Sequence, residues 1–229
     1  MLAQVGKIQQ NLSSGILTGA LWLNKADAAM RQIGYFFVAP QNRKIAMIYF
    51  LQSDESPTGA LPYVAAGDLL PDRVPLMGAP PVASKLPANL TFRVEDQSRA
   101  SGLADFMESV SFMVVSNALK QVLIDLKAVV EFIPISLQYR GQLHDGYFIA
   151  NPNLLIEGMD KTQSDFELSP MGTAISIRKL VLHESKFEGV PISVVKELRQ
   201  VAVSEAAMKA IRDANCTGCK FVESSRIRY

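Results

Sequence analysis

The sequence predicts an α+β protein, with a mixed or mainly antiparallel sheet and flanking helices. Three observations carry this. Short runs rich in β-branched and aromatic residues, such as Val129–Gln138 and Ile175–Leu182, are interspersed with stretches of helical spacing. One local design occurs twice: Met113-Val114-Val115-Ser116 precedes a helical pattern from Asn117 to Lys127, and Val201-Ala202-Val203-Ser204 precedes one from Glu205 to Asn215. Finally, 48% hydrophobic and 20% charged residues in a 229-residue chain supply a core that needs neither metal nor disulfide.

Residues 1 to 34 read as an amphipathic lead-in. Asn24 is placed to cap a helix over Lys25–Gln32, with Ala26, Ala29, Met30 and Ile33 on one side, and Gly34 ends it. Tyr35–Val38 reads as a strand stopped by Pro40, with Ile45–Leu51 as its hairpin partner across Gln41-Asn42-Arg43. From 52 to 90 the chain changes character. Seven prolines between Pro57 and Pro87 disfavour long helices and central strands. Its apolar residues (Leu61, Tyr63, Val64, Leu69, Leu70, Val74, Leu76, Met77) suit a segment docked on the fold better than a polar linker. The expected organisation is therefore a lead-in, hairpin and Pro-rich segment over 1–90 and an α+β region over 91–229, with one continuous domain as the alternative.

Ser111–Val115 is the next strand expected, and Ser116 then caps a helix whose Ala118, Leu119, Val122, Leu123 and Leu126 share a side. Val129–Gln138 and Leu143–Asn151 come next as strands, with Gln142–Gly146 between them as the hairpin turn. Ile175–Leu182, Ile192–Leu198 and Gln200–Val203 complete the strand candidates before the second helix, and Lys220–Glu223 is its return strand. Two similar strand–Ser-capped helix–strand units packed on one mixed sheet is the simplest arrangement. The basic residues Arg212, Lys220, Arg226 and Arg228, interspersed with Asp213 and Glu223, read as a solvated C-terminal tail.

Charge and motif content exclude several functions. Twenty-three basic against twenty-two acidic residues leave a net charge of +1, without the basic excess that phosphate neutralisation demands of a nucleic-acid binder. No apolar stretch reaches the roughly 20 residues of a membrane span, and no signal peptide is visible. Two cysteines suit the reducing cytoplasm. Cys216-Thr217-Gly218-Cys219 has too few companions for a zinc site, and it follows a helix, so the dipole opposes thiolate formation. Packing around a turn glycine is the favoured reading, with thiol redox chemistry as the alternative. His144 and His183 lie in no nucleophile or metal motif. No catalytic residue, cofactor or metal is expected. One stretch is richer: Asp145, Tyr147, Glu157, Asp160 and Asp165 lie in turn-rich sequence, where the alternative to plain surface is a face for a basic protein partner.

At these residues the chain resembles an immunity protein family of bacterial polymorphic toxin systems. The matching residues are Val115-Ser116, Phe132-Ile133-Pro134-Ile135, Asp145 to Asn151, Asp160 with Ser164-Asp165, Arg178-Lys179-Leu180-Val181-Leu182, Val203-Ser204, and Thr217-Gly218 with Phe221. They span about residues 90 to 224, with a looser match at Gly34–Val38. The family places apolar residues where Cys216 and Cys219 stand. The resemblance implies a non-enzymatic inhibitor that binds a cognate toxin, with no list of site residues. A structural adaptor without a toxin is the remaining alternative.

Overall fold

The computed structural model describes residues 47–54, 63–65, 76–95, 102–109 and 112–229. Contacts divide the chain between Lys44 and Ile45, and every described element belongs to the unit from Ile45 onward. The expected helix over Lys25–Gln32 and strand over Tyr35–Val38 lie outside the described residues.

A six-stranded sheet is built from β2 (Tyr63–Ala65), β3 (Leu90–Glu95), β4 (Phe106–Glu108), β5 (Met113–Ser116), β6 (Val130–Tyr139) and β7 (Gln142–Pro152), in the order β2-β3-β6-β7-β5-β4. A five-stranded sheet is built from β1 (Ile48–Ser53), β8 (Leu155–Ile156), β11 (Ile192–Val195), β12 (Gln200–Ser204) and β13 (Cys219–Glu223), in the order β13-β1-β12-β11-β8. A separate hairpin pairs β9 (Asp165–Leu168) with β10 (Ala174–Lys179).

Helix α1 (Asn117–Asp125) comes after β5, and helix α2 (Glu205–Asp213) after β12. Ser116 Oγ accepts from Leu119 N at 3.3 Å and Ser204 Oγ from Ala207 N at 3.2 Å, each filling one orphan donor of the first turn. Both helices stop the same way. Lys127 and Asn215 turn left-handed (φ 56° and 53°), and the next amide reaches back to Leu123 O and Ile211 O respectively.

Strands β5 and β6 both run antiparallel to β7, so they are parallel to each other and need a crossover, which α1 supplies. Strands β12 and β13 flank β1 in the same sense, with α2 as their crossover. The sequence predicts a single mixed sheet; there are two large ones, because β7 and β1 each wedge between a different pair. Register across β1 is long-range (Tyr49↔Val203, Tyr49↔Glu223), which no local pattern signals.

Three apolar clusters form the core. The helices meet both sheets in one of them, where Leu119, Leu123, Ala207 and Ile211 pack with Leu51, Val115, Ile192 and Val203. The far face of the six-stranded sheet (Phe92, Val114, Ile133, Leu137, Ile149) is covered by Leu76, Ala79 and Val82. The Pro-rich segment is thus docked where it is described. Its backbone is stapled as well: Glu131 accepts from Val82 N at 2.9 Å and Ala83 N at 2.9 Å, and Asn153 Nδ2 donates to Ala79 O at 2.7 Å. The far face of the five-stranded sheet (Ile48, Phe50, Val195) packs against Ile177 of the hairpin, Phe187 and Ile227.

Two expectations need correction. The β6–β7 turn is Arg140-Gly141, not Gln142–Gly146. Both residues have positive φ (50° and 78°), the geometry of a two-residue hairpin turn that matches strand twist. Asp145-Gly146 instead forms a bulge inside β7, where the register slips between Ile135 and Leu137 and Gly146 takes φ 82°. The basic residues Arg212, Lys220, Arg226 and Arg228 are exposed, as a solvated surface requires, but the C-terminal segment is anchored rather than a free tail: Ile227 is buried, and Tyr229 exchanges two backbone hydrogen bonds with Ile177 of β10. The strands β2, β3, β4, β8 and β9 had no sequence signal strong enough to mark them.

Candidate functional site

Asp145 and Tyr147 lie on β7, two positions apart across the bulge. Asp145 is exposed, and its Oδ1 accepts from Ser136 Oγ at 2.6 Å. Tyr147 is half-buried against the Pro-rich side of the six-stranded sheet; burial, with the Asp105 charge, raises its phenol above the usual value. The other three candidates sit on a different part of the fold, so the structure does not gather the five into one cluster.

Glu157, just past β8, is exposed and paired with Lys196, while its carbonyl accepts from Lys186 Nζ at 2.6 Å. The Lys196 hydrogen bond and charge hold its carboxyl below the usual range. Asp160 is turned inward. Its Oδ1 accepts from Thr162 N at 2.9 Å, Thr162 Oγ1 at 2.7 Å and Gln163 N at 3.1 Å, and its Oδ2 from Gln163 Nε2 at 2.7 Å. That set, led by the Thr162 hydroxyl, lowers its pKa to about 2 despite desolvation. It is a staple for the 160–164 turn, with His183 Nδ1 3.8 Å away. Asp165 on β9 accepts a two-pronged contact from Arg178 of β10, Nε at 2.8 Å and Nη2 at 2.7 Å. The Arg178 hydrogen bonds lower the Asp165 carboxyl, and Glu167 shares the same guanidinium at 3.3 Å. Each of these acids already has a cation or donors beside it.

A carboxylate that sequence reasoning missed does more for the architecture. Asp105, before β4, accepts from Ser116 Oγ at 2.6 Å, Thr217 N at 2.8 Å and Thr217 Oγ1 at 2.8 Å. Its own amide donates to Thr217 Oγ1 at 3.1 Å, and Phe106 N donates to Thr217 O at 3.1 Å. One side chain thereby joins the cap of α1 to the turn after α2. Burial pushes its carboxyl up, but the Ser116 and Thr217 hydrogen bonds outweigh that and hold it below the usual range. Its partners lie 11 and 112 residues away, so only proximity in space could have revealed it.

Within the same turn, Gly218 takes φ 77°, and a Cβ there would stand 2.4 Å from Phe106 O. The glycine is required by both its backbone and its neighbour. Cys216 and Cys219 are free thiols packed against the helix cluster. Burial, aided by the Asp105 charge, raises the Cys216 thiol, and burial with neighbouring negative charge pushes Cys219 up to about 12. Both shifts oppose thiolate formation, so nothing here favours thiol exchange.

Among the described residues no group of three or more His, Cys, Asp or Glu could hold a metal ion, and no helix is long and apolar enough to cross a membrane. Chemically, the arrangement is one of surface charge and apolar contact. A search of curated proteins finds no match to the chain. The model of one family, described as Immunity protein family (Imm11), matches residues 31–226, beginning well before the stretch over which the motifs could be followed. With most of its length matched, the chain belongs to the immunity protein family Imm11.

Proposed function

We propose that this protein binds a cognate bacterial toxin and neutralises it stoichiometrically, in the cytoplasm of the producing cell and without catalysis of its own. The family match over residues 31–226 carries this reading. The two strand–Ser-capped helix–strand units, β5–α1–β6 and β12–α2–β13, serve on this reading as scaffold. The α+β region over 91–229 presents the binding surface. Exposed positions supply the contact: Asp145 with the half-buried Tyr147, and Glu157 and Asp165, whose cations would be shared with or exchanged for those of the partner. An interface of standard size, about 1,600 Å² in total, suffices for tight inhibition.

Co-expression with the product of the adjacent gene tests the reading. A one-to-one complex that survives gel filtration at micromolar concentration, with protection of cells expressing that product, is the expected result. Separate elution, with no protection, refutes it.

A further inference from the structure

Many exposed charges of this fold have an opposite charge close by: Glu157 with Lys196, Asp165 and Glu167 with Arg178, and Glu205 with Lys209. The end of the five-stranded sheet beside β13 differs. A shallow cavity of about 450 Å³ opens there, and its lining includes Gln52, Lys220, Val222, Arg226, Ile227 and Arg228.

The backbone explains how it is built. Gln52 and Lys220 are direct cross-strand partners on β1 and β13, and Val222 lies two residues beyond Lys220 on the same side of its strand. The chain then makes a short 3-10 turn over Ser224–Arg226 and returns, burying Ile227 against the sheet. Arg228 Nη1 donates to Ser225 O at 2.9 Å and Ile227 O at 2.7 Å, which fixes the guanidinium at the rim. The two Tyr229–Ile177 backbone bonds anchor the segment beyond it. The backbone that carries the basic groups is therefore anchored rather than a loose tail, and the Arg228 guanidinium is held with it.

Their charge is left largely uncompensated. Among the described residues no carboxylate comes within ion-pair distance of Lys220 or Arg228. Glu223, the acid in the lining, accepts from Ser225 Oγ at 2.6 Å and lies 3.9 Å from Arg226. Three cations thus face one engaged acid over an apolar floor of Val222 and Ile227. A nucleic acid asks for a broader basic field than a chain of net charge +1 provides. A free phosphate is usually cradled by successive backbone N–H groups, whereas side chains make the rim here.

We propose that this cavity receives an acidic segment of a protein partner, with Asp or Glu side chains at Lys220, Arg226 and Arg228 and an adjoining apolar residue on Val222 and Ile227. Identifying that partner as the toxin rests on the function proposed above. The acidic-peptide chemistry does not, and the two can be tested apart.

The full chain, isotope-labelled, is titrated with a ten-residue Asp/Glu-rich peptide containing one leucine, with a Lys-rich control, and with inorganic phosphate and a DNA oligonucleotide. The expected result is shifts confined to the amides around Gln52, Lys220–Val222 and Ile227 with the acidic peptide, weakening as salt rises. Lys220→Glu with Arg226→Glu should weaken peptide binding by about tenfold or more with an unchanged melting temperature, and Lys220→Gln by less. No acidic-peptide binding, an equal response to the Lys-rich peptide, or preference for phosphate or DNA overturns the proposal. Toxin binding undiminished in the double variant overturns the cavity's role and leaves the immunity reading standing. Peptide bound in the cavity by a chain that binds no toxin does the reverse.

Discussion

Two sets of carboxylates in this molecule use the same functional group for opposite ends. Asp105, Glu131 and Asp160 accept hydrogen bonds from backbone N–H groups, and for Asp105 and Glu131 those donors are far away in sequence. Glu157 and Asp165 stand at the surface and meet lysine or arginine side chains. A carboxylate that ties down backbone amides removes an unfolding route, because those amides would otherwise need water or an uncompensated burial. An exposed ion pair gives up side-chain freedom for a screened attraction and adds little. The first set builds the platform, while the second leaves side chains that a partner can take over at small cost.

Substitutions separate the two sets. The largest loss is expected from Gly218→Ala, which leaves the Asp105 carboxylate intact but drives a Cβ onto Phe106 O and opens the turn it holds: about 3 kcal/mol by urea unfolding. Asp105→Ala comes next at about 2 kcal/mol, a figure reduced by the partial exposure of the site. Glu131→Gln keeps the shape but weakens the contacts to Val82 and Ala83, and should lose about 1 kcal/mol and loosen protease protection around residues 79–85. Acid should act on the same set. Asp105, Glu131 and Asp160 all titrate below their ordinary values in the folded protein, Asp160 at about 2. Their contribution is complete above about pH 5.5, where the unfolded chain is also ionised, and is lost as pH falls through the folded values. The stability gap between the parent and Asp160→Asn should therefore close between about pH 4 and pH 2. The smallest effect is expected at the surface pairs: Glu157→Gln and Asp165→Asn should each move the melting temperature by no more than about 1 °C.

The same contrast explains what the sequence could disclose. Helix starts at Ser116 and Ser204 were legible because a cap and its donor lie three residues apart. The long strands β6 and β7 were legible from their β-rich runs, whereas the turn between them was misplaced. Arg140 is not a residue that advertises positive φ, and Asp145-Gly146, which does, had been recruited to a bulge. Three-residue strands such as β4 carry too few residues for a period to show. Asp105 looked like one acid among many, since nothing near it hints at Thr217. Exposed acids drew notice because they cluster along the chain. In space, Asp160 faces its own turn and Asp145 sits on the other sheet, so chain proximity was a poor guide to a shared surface.

The placement of β1 between β12 and β13 also sets a clock. Tyr49 must find Val203 on one side and Glu223 on the other, so roughly 150 residues emerge from the ribosome before either neighbour exists. At about 5–20 residues per second, β1 waits on the order of ten to thirty seconds with both edges unpaired. Until then its Phe50 and Leu51, buried later, need shelter from aggregation. A messenger cut short anywhere before α2 leaves the five-stranded sheet without β13, so partial translation should leave a cell with none of the folded sheet rather than a fraction of it.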